Sequence, residues 1–187
     1  MPGPNMNRRI VYALGLVLLT PLTARAQDNF SPYVDADGQI ALPEDFRLKM
    51  VHLGSWFVPE GEASGFHDVY TEAETAAAYR ASGRFPDGAT LVKELRSSDV
   101  GNYTTGDGVH SASPNIKQWF VMVKDATGRF PDNPVWGEGW GWALFKPDGL
   151  DTNVAKDFRT DCLGCHVPAQ GTDWVYVQSY PTLRAGR

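Results

Sequence analysis

The sequence predicts a mainly β protein of the α+β class, in which one antiparallel β-sheet domain carries two or three helices. Short runs rich in branched and aromatic side chains recur along the chain, and Gly, Pro, Asp and Asn separate them as turns. Only one segment combines a helix-capping pattern with a run of strong helix formers. The 187 residues are 42% hydrophobic and 21% charged, a composition typical of one globular domain rather than of a disordered or multi-span membrane protein.

The N-terminal segment has the pattern of an export signal. Arg8 and Arg9 precede an apolar run over residues 10–19, and the stretch closes with Ala-Arg-Ala at residues 24–26, a small-x-small cleavage pattern. The apolar run is too short for a membrane span, which needs about 20 residues. We therefore predict that residues 1–26 are a cleaved signal peptide.

Cleavage would leave a single domain over residues 27–187, which we expect in the periplasm. Synthesis could start at Met1 or at Met6, and the choice changes nothing downstream. The full chain has 22 acidic and 17 basic side chains, a formal charge of −5, and the signal segment contributes only basic charge. Nucleic acid and anionic membrane surfaces are therefore not expected as partners, and no membrane span is expected after cleavage.

The first half of the domain predicts two strands and the clearest helix. The sequence Thr-Glu-Ala-Glu at residues 71–74 fits a capping box, and alanines follow it up to Gly83, which is typical of a helix end. Asp, Ala, Asp and Gly at residues 35–38 predict a turn. In chain order we predict an extended lead-in over 28–43, a strand over 46–58, a strand over 66–70 and a helix over 71–83.

The second half predicts mostly strands. Alternating side chains indicate a strand over residues 89–96, and apolar runs indicate three more. A stretch rich in Gly and Ser between the first two is predicted to be a loop. In chain order we predict a strand over 89–96, a loop over 101–114, strands over 118–124 and 140–145, a helix over 151–166 and a last strand over 174–180.

Residues 162–166, Cys-Leu-Gly-Cys-His, are the most specific motif in the chain. In a c-type haem site two thiols add to the vinyl groups of the porphyrin and the adjacent imidazole binds the iron, so this order and spacing are required. The alternatives are a disulfide between Cys162 and Cys165, or half of a zinc site. The chain has only two Cys, so a zinc site would need ligands of other types. We predict one covalent haem c held by Cys162 and Cys165, with His166 as the axial iron ligand.

The second axial ligand separates an electron carrier from a protein that binds a small molecule. No Met, His or Cys follows His166, so a protein ligand must come from upstream. We favour an open distal face, because methionines in apolar strands are more often core residues than ligands. The upstream candidates are Met50, His52, His67, His110 and Met122.

Lys93 lies on the apolar side of its predicted strand. Side chains alternate along a strand, so Lys93 shares a face with Leu91 and Leu95. Glu94 belongs to the opposite face, which is predicted to meet water. A buried ammonium is unfavourable unless it is paired or loses its proton. Lys93 is therefore either a snorkelling side chain at the edge of the core or a functional amine able to act as a nucleophile.

Several short strings occur in the order and spacing of a known family. They are Leu42-Pro43, Val69-Tyr70, Phe85 with Asp87-Gly88, Val-Lys-Glu-Leu at 92–95, Val-Lys-Asp at 123–125, the motif at 162–166, Thr172-Asp173, Tyr180-Pro181 and Leu183-Arg184. Together they resemble the cytochrome P460 family, which includes the β-type cytochromes c-prime, over almost the whole mature chain. The resemblance implies a β-rich homodimer with one five-coordinate haem c in each subunit.

The resemblance also implies roles for individual residues. In the enzymes of this family the lysine corresponding to Lys93 is covalently joined to the porphyrin, and they oxidise hydroxylamine to nitrogen oxides. Phe120 lies where these enzymes carry a distal glutamate that handles protons, and His67 lies where they carry an arginine. A phenyl ring cannot accept a proton, whereas the imidazole of His67 could serve as a base. Phe120 instead resembles the apolar pocket of the β-type cytochromes c-prime, or it is an ordinary core residue.

Three functions are thus expected in descending order. The first is hydroxylamine oxidation at an open haem iron, with electrons passed to a soluble redox partner. The second is binding of nitric oxide or a related gas without turnover. The third is simple electron transfer by a haem with two protein ligands. A homodimer is expected in each case.

Overall fold

The computed structural model describes residue 1 and residues 30–184. Apart from residue 1, the predicted signal peptide lies outside the described residues and stays a prediction. In chain order the helices and strands are α1 Phe46–Lys49, β1 Val51–Val58, β2 Gly65–Thr71, α2 Ala73–Ser82, β3 Thr90–Tyr103, β4 Gly106–Lys124, β5 Trp136–Gly137, β6 Trp140–Phe145, α3 Phe158–Asp161 and α4 Leu163–His166. Three 3-10 turns follow, Val167–Thr172, Val177–Ser179 and Pro181–Leu183.

The strands form one six-stranded sheet in the order β1-β2-β3-β4-β6-β5, and every neighbouring pair is antiparallel. This confirms the predicted fold class. The central strands β3 and β4 form a long hairpin in which Lys93 is paired with Phe120. On the other side of β3, Lys93 is paired with Val69 of β2. The side chains of paired residues lie on the same face of the sheet.

Both faces of the sheet are covered, each by its own core. The face that carries Leu91 and Lys93, termed the Lys93 face, packs against α2, α3 and the C-terminal turns. The face that carries Val92 and Glu94, termed the Glu94 face, packs against α1 and the lead-in. The core of the Lys93 face includes Leu53, Val69, Leu91, Met122, Trp140, Trp142, Phe158, Trp174 and Tyr180. The core of the Glu94 face includes Ile40, Phe46, Met50, Val92, Val121, Val123, Trp136 and Phe145.

The prediction that the Glu94 face meets water is wrong. Glu94 is 0% exposed, although it is charged. Both guanidinium donors of Arg47 bond its carboxylate, the Trp119 indole donates to it at 3.0 Å, and the Arg96 Nε lies 3.3 Å away. A carboxylate can be buried when it is paired and hydrogen-bonded in this way. Alternation along the strand alone does not distinguish such a group from a solvated one.

The first half of the chain departs from the predicted elements in two places. The predicted strand over 46–58 begins with one turn of helix, α1, and becomes extended only at Val51. The helix α2 begins later than the capping pattern predicts, because Thr71 is the last residue of β2. Its hydroxyl donates to the Thr90 carbonyl at 2.7 Å instead of capping the helix. The predicted helix end is confirmed, since Gly83 is left-handed and closes the helix.

The second half departs in three places. The predicted loop over 101–114 is instead the outer part of the β3–β4 hairpin. The predicted helix over 151–166 is reduced to the single turns α3 and α4. The predicted strand over 174–180 is irregular and contains only a 3-10 turn. Among the described residues, no helix combines the length and the hydrophobicity needed to span a membrane.

Candidate functional site

The Cys-x-x-Cys-His motif lies on the single turn α4, over the Lys93 face. The backbone N–H of Cys165 donates to the Cys162 carbonyl, which closes the turn. Both cysteines are free thiols rather than a disulfide. Burial raises the pKa of the Cys162 thiol to about 11, and the charge of Asp161 adds to this shift. The motif therefore presents two free thiols and one imidazole from nearby positions of the chain.

His166 has one ring nitrogen fixed by the backbone. Its Nδ1 is 2.7 Å from the Trp174 carbonyl oxygen, so Nδ1–H donates and Nε2 is left as a basic nitrogen. The edge of the ring contacts Trp142, with 4.8 Å between ring centroids. Burial lowers the pKa of His166 to about 4, although the Trp174 carbonyl opposes this shift. A neutral imidazole with a fixed tautomer is the form that binds a metal ion.

The Lys93 amine points to the same region from the centre of the sheet. Lys93 is partly buried, and its Nζ lies 3.9 Å from the centroid of the Phe120 ring. Burial lowers the pKa of Lys93 to about 8, and the nearby thiols of Cys165 and Cys162 oppose this shift. The amine has no carboxylate partner among the ion pairs of the described residues. A minor fraction of it is therefore neutral, and nucleophilic, near neutral pH, and this fraction grows as the pH rises towards 8.

His67 lies on the Lys93 face in β2, next to the strand that carries Lys93. Its Nε2 is 2.6 Å from the Ala63 carbonyl, to which it donates when the ring is neutral. Burial lowers the pKa of His67 below its ordinary value of 6.5, and the positive charge of Lys93 acts in the same direction. The imidazole is thus mostly neutral at neutral pH. Its Nδ1 is then able to accept a proton.

The structure places three of the other four candidates for a second axial ligand away from the motif at 162–166. Met50 lies in the core of the Glu94 face, and the ring of His52 packs against Tyr70 on that same face. His110 lies far along the β3–β4 hairpin, where it bonds Ser98 at 2.8 Å. Met122 is buried in the core of the Lys93 face. His67, Lys93, Phe120 and Met122 therefore share a face with the motif at 162–166.

The donor set fits a covalently attached haem. Two unpaired thiols lie one helical turn apart, and the adjacent imidazole has its second nitrogen occupied by a carbonyl, which orients it for a metal on Nε2. Aromatic side chains surround the imidazole, as a large apolar ring would require. A zinc site is not supported, because the described residues contain no cluster of three or more His, Cys, Asp or Glu side chains.

Three contacts of this site were not predicted from the sequence. The Trp174 carbonyl holds His166, the Trp142 ring contacts it, and the Tyr176 hydroxyl donates to the Cys165 carbonyl at 2.5 Å. A backbone carbonyl such as that of Trp174 has no signature in the sequence. From the sequence, Trp142 cannot be distinguished from the other core aromatic residues. The Thr172-Asp173 string, which introduces the turn before Trp174, was the only available signal.

Comparison with known proteins agrees with this site. The model of the family described as cytochrome P460 matches residues 43–177, which is most of the chain. A search of curated proteins finds no match. The matched region includes Lys93, Phe120 and the motif at 162–166, as the resemblance found in the sequence predicts. The chain therefore belongs to the cytochrome P460 family, and this membership indicates a haem-binding cytochrome.

Proposed function

We propose that this protein is an exported mono-haem cytochrome that oxidises hydroxylamine. Cys162 and Cys165 would hold one haem c, His166 would bind its iron, and this iron would supply the redox chemistry for hydroxylamine. Electrons leave to a soluble redox partner in the periplasm. The active protein is a homodimer.

The observation that carries this proposal is the Lys93 amine. It is an unpaired, partly neutral amine inside the protein, directed to the region of the haem-attachment motif. An ordinary gas-binding or electron-transfer site needs no such group, and burying it is unfavourable. The hydroxylamine-oxidising members of the family join the corresponding lysine to the porphyrin. The lowered pKa of Lys93 makes its neutral form accessible, and such a bond requires the neutral form.

The protein groups around the site have distinct tasks. Bound haem supplies a redox-active iron with a free coordination position. His67, neutral and adjacent to Lys93, accepts protons that hydroxylamine loses as it is oxidised. The Ala63 carbonyl holds the His67 ring in one orientation, so that Nδ1 is the accepting atom. The carbonyl of Trp174 keeps His166 in the tautomer that binds iron.

The test is mass spectrometry of the protein matured in a host that attaches haem. A bond from Lys93 to the ring replaces an N–H and a ring C–H, and the two hydrogens leave as two protons and two electrons that an external two-electron oxidant, such as a peroxide, takes up during maturation. The haem peptide then also contains the Lys93 peptide and is lighter than the simple sum by two hydrogens. The K93R variant is the control, because it keeps the positive charge and loses only the joined peptide. A porphyrin held by Cys162 and Cys165 alone would contradict the proposed crosslink.

Phe120 favours a second function, the binding of nitric oxide or a related gas without turnover. Its phenyl ring covers the Lys93 amine and offers no proton acceptor where the hydroxylamine-oxidising members carry glutamate. An apolar wall selects small uncharged ligands. Steady-state oxidation of hydroxylamine with an artificial electron acceptor separates the two functions. Sustained turnover supports the first, and rapid nitric oxide binding to ferrous protein without turnover supports the second.

A further inference from the structure

The carbonyl that bonds His166 is presented by an unusual stretch of backbone. Asp173 and Trp174 are consecutive residues with positive φ, 58° and 65°, and neither is glycine. Such residues are individually unfavourable by about 1–2 kcal/mol and persist only where the surroundings hold them. The two left-handed residues turn the chain after the Val167–Thr172 turn. This turn directs the Trp174 carbonyl to the Nδ1 of His166, 2.7 Å away.

Two side chains from the sheet hold Asp173 in this conformation. The Lys124 amine, at the end of β4, donates to the Asp173 carboxylate at 2.7 Å. The indole of Trp140, on the neighbouring strand β6, donates to the Asp173 carbonyl at 3.1 Å. Lys124 is only 14% exposed and Trp140 is 0% exposed, so both groups are fixed by packing.

Gly139 leaves space for the Lys124 amine, because it has no side chain. Gly139 is left-handed, with φ 78°, and a Cβ atom added there would lie 3.2 Å from the Lys124 Nζ. The amine also lies 4.9 Å from the centroid of the Trp140 ring, within range of a cation–π interaction. The Lys124 side of the ion pair with Asp173 is thus positioned by its contacts with Gly139 and Trp140.

We propose that Lys124 and Asp173 are positioning residues for the axial ligand. By holding the left-handed turn, they keep the Trp174 carbonyl on His166 and so set the strength with which this imidazole binds iron. The inference rests on the proposed attachment of haem at Cys162, Cys165 and His166, and it does not depend on which substrate the iron takes. A strong acceptor on Nδ1–H makes the imidazole a better electron donor, which stabilises ferric over ferrous iron.

The experiment compares the haem protein with its K124M and D173N variants. Methionine keeps the length of the lysine without its charge, and asparagine tolerates positive φ, so D173N removes charge without adding backbone strain. We expect the iron–imidazole stretching band of the ferrous protein to move to lower frequency in both variants. We expect the ferric–ferrous equilibrium to shift towards ferrous by about tenfold in K124M, which is about 59 mV for a one-electron couple.

Two controls separate positioning from general destabilisation. A77G, at an exposed position of α2, lowers the thermal midpoint and should leave both the stretching band and the potential unchanged. In the K124M/D173N double variant the shift should not exceed that of K124M, because the two residues act as one pair. If K124M does not fold, D173N alone provides the comparison.

The outcomes distinguish this inference from the proposed function. Haem-loaded variants with an unchanged stretching band and potential would overturn the positioning role and leave the proposed function intact. A wild-type protein that carries no covalent haem would overturn both. Hydroxylamine turnover is not used as a readout, so its absence bears only on the proposed function.

Discussion

At the scale of single residues, two titratable groups on the Lys93 face have pKa values shifted by the same cause. Burial lowers the pKa of Lys93 to about 8 and lowers that of His67 below 6.5, and the charge of Lys93 reinforces the second shift. Near neutral pH the imidazole is therefore neutral while the amine is still largely charged. A proton acceptor and a cation with an accessible neutral form thus lie next to each other on one face of the sheet.

This arrangement predicts an acid limb in the pH dependence of hydroxylamine oxidation. Turnover needs neutral His67, so the rate should fall as the pH drops through the lowered pKa of His67, below about 6.5. Replacement by glutamine keeps polarity but removes the base, and H67Q should lose about a hundredfold in rate. The measurement is the steady-state rate from pH 4.5 to 8 with an artificial acceptor. Protonation of the substrate lowers the rate of both proteins equally at acid pH. An acid limb in H67Q identical to that of the wild type would therefore exclude His67 as the base.

Phe120 gives a second prediction at this scale. In F120E a carboxylate replaces the ring now 3.9 Å from the Lys93 amine, and it supplies the proton acceptor found in hydroxylamine-oxidising members. We expect hydroxylamine oxidation to rise by about tenfold or more, and nitric oxide affinity of the ferrous protein to fall as the pocket becomes polar. F120Q is the matched control, because glutamine has the same size as glutamate but cannot accept a proton as a base. Equal rates in F120E and F120Q would show that the position does not limit proton transfer.

At the scale of the elements, β3 is buried on both faces and carries a charged group on each. On the Glu94 face the carboxylate of Glu94 is satisfied by Arg47, Arg96 and Trp119. On the Lys93 face the amine of Lys93 lies over the Phe120 ring and forms no ion pair with a carboxylate of the described residues. The hydrogen bonds and ion pairs of Glu94 hold the strand in place. The amine of Lys93 has no such partners in the described part of the chain and is available for chemistry.

The buried ion pair predicts a large loss of stability when it is broken. E94Q keeps the shape of the side chain but removes the charge that pairs with Arg47, while Arg96 keeps Asp68 as a partner, and we expect the free energy of unfolding to fall by about 2 kcal/mol. The exposed pair between Lys49 and Asp45 is the control, with an expected loss in K49M of less than about 0.5 kcal/mol. Urea denaturation of the haem-loaded proteins measures both. Similar losses in the two variants would contradict the structural role assigned to Glu94.

Sequence reasoning predicted the elements whose side chains are both patterned and buried. Residues 140–145 were predicted correctly because the run is apolar and nearly all of it is buried. The face that Lys93 shares with Leu91 and Leu95 was predicted correctly because side chains alternate along β3, although both of its faces are buried. The outer hairpin over 101–114 was predicted as a loop, because its pairing is made by backbone groups and its Gly and Ser side chains bury little. Residues 174–180 have the composition of a strand, but the left-handed Asp173 and Trp174 turn the chain away from the sheet. Their conformation depends on Lys124 and Trp140, which are distant in the sequence.

At the scale of the whole molecule, the sheet separates two cores. The core of the Lys93 face includes the segment that carries the haem-attachment motif, and the core of the Glu94 face does not. The core of the Glu94 face is built from α1, the lead-in and the strands. The core of the Lys93 face depends on the C-terminal segment, residues 158–184, which consists of single helical turns and 3-10 turns. This segment pairs with no strand of the sheet and is held by side chains such as Phe158, Trp174 and Tyr180. The attachment motif lies within it.

This architecture predicts that loss of the haem loosens one part of the molecule selectively. In C162A/C165A no covalent attachment is possible, so the C-terminal segment loses a large apolar partner while the hydrogen bonds between β3 and β4 remain. Hydrogen exchange measured by mass spectrometry should show amides of residues 158–184 exchanging at least about tenfold faster than in the haem-loaded protein. Amides of Thr90 to Leu95 in β3 should keep their protection, because opening them requires both cores to break. Uniform loss of protection would mean that the haem supports the whole fold, and no change anywhere would mean that it contributes nothing to the packing of this segment.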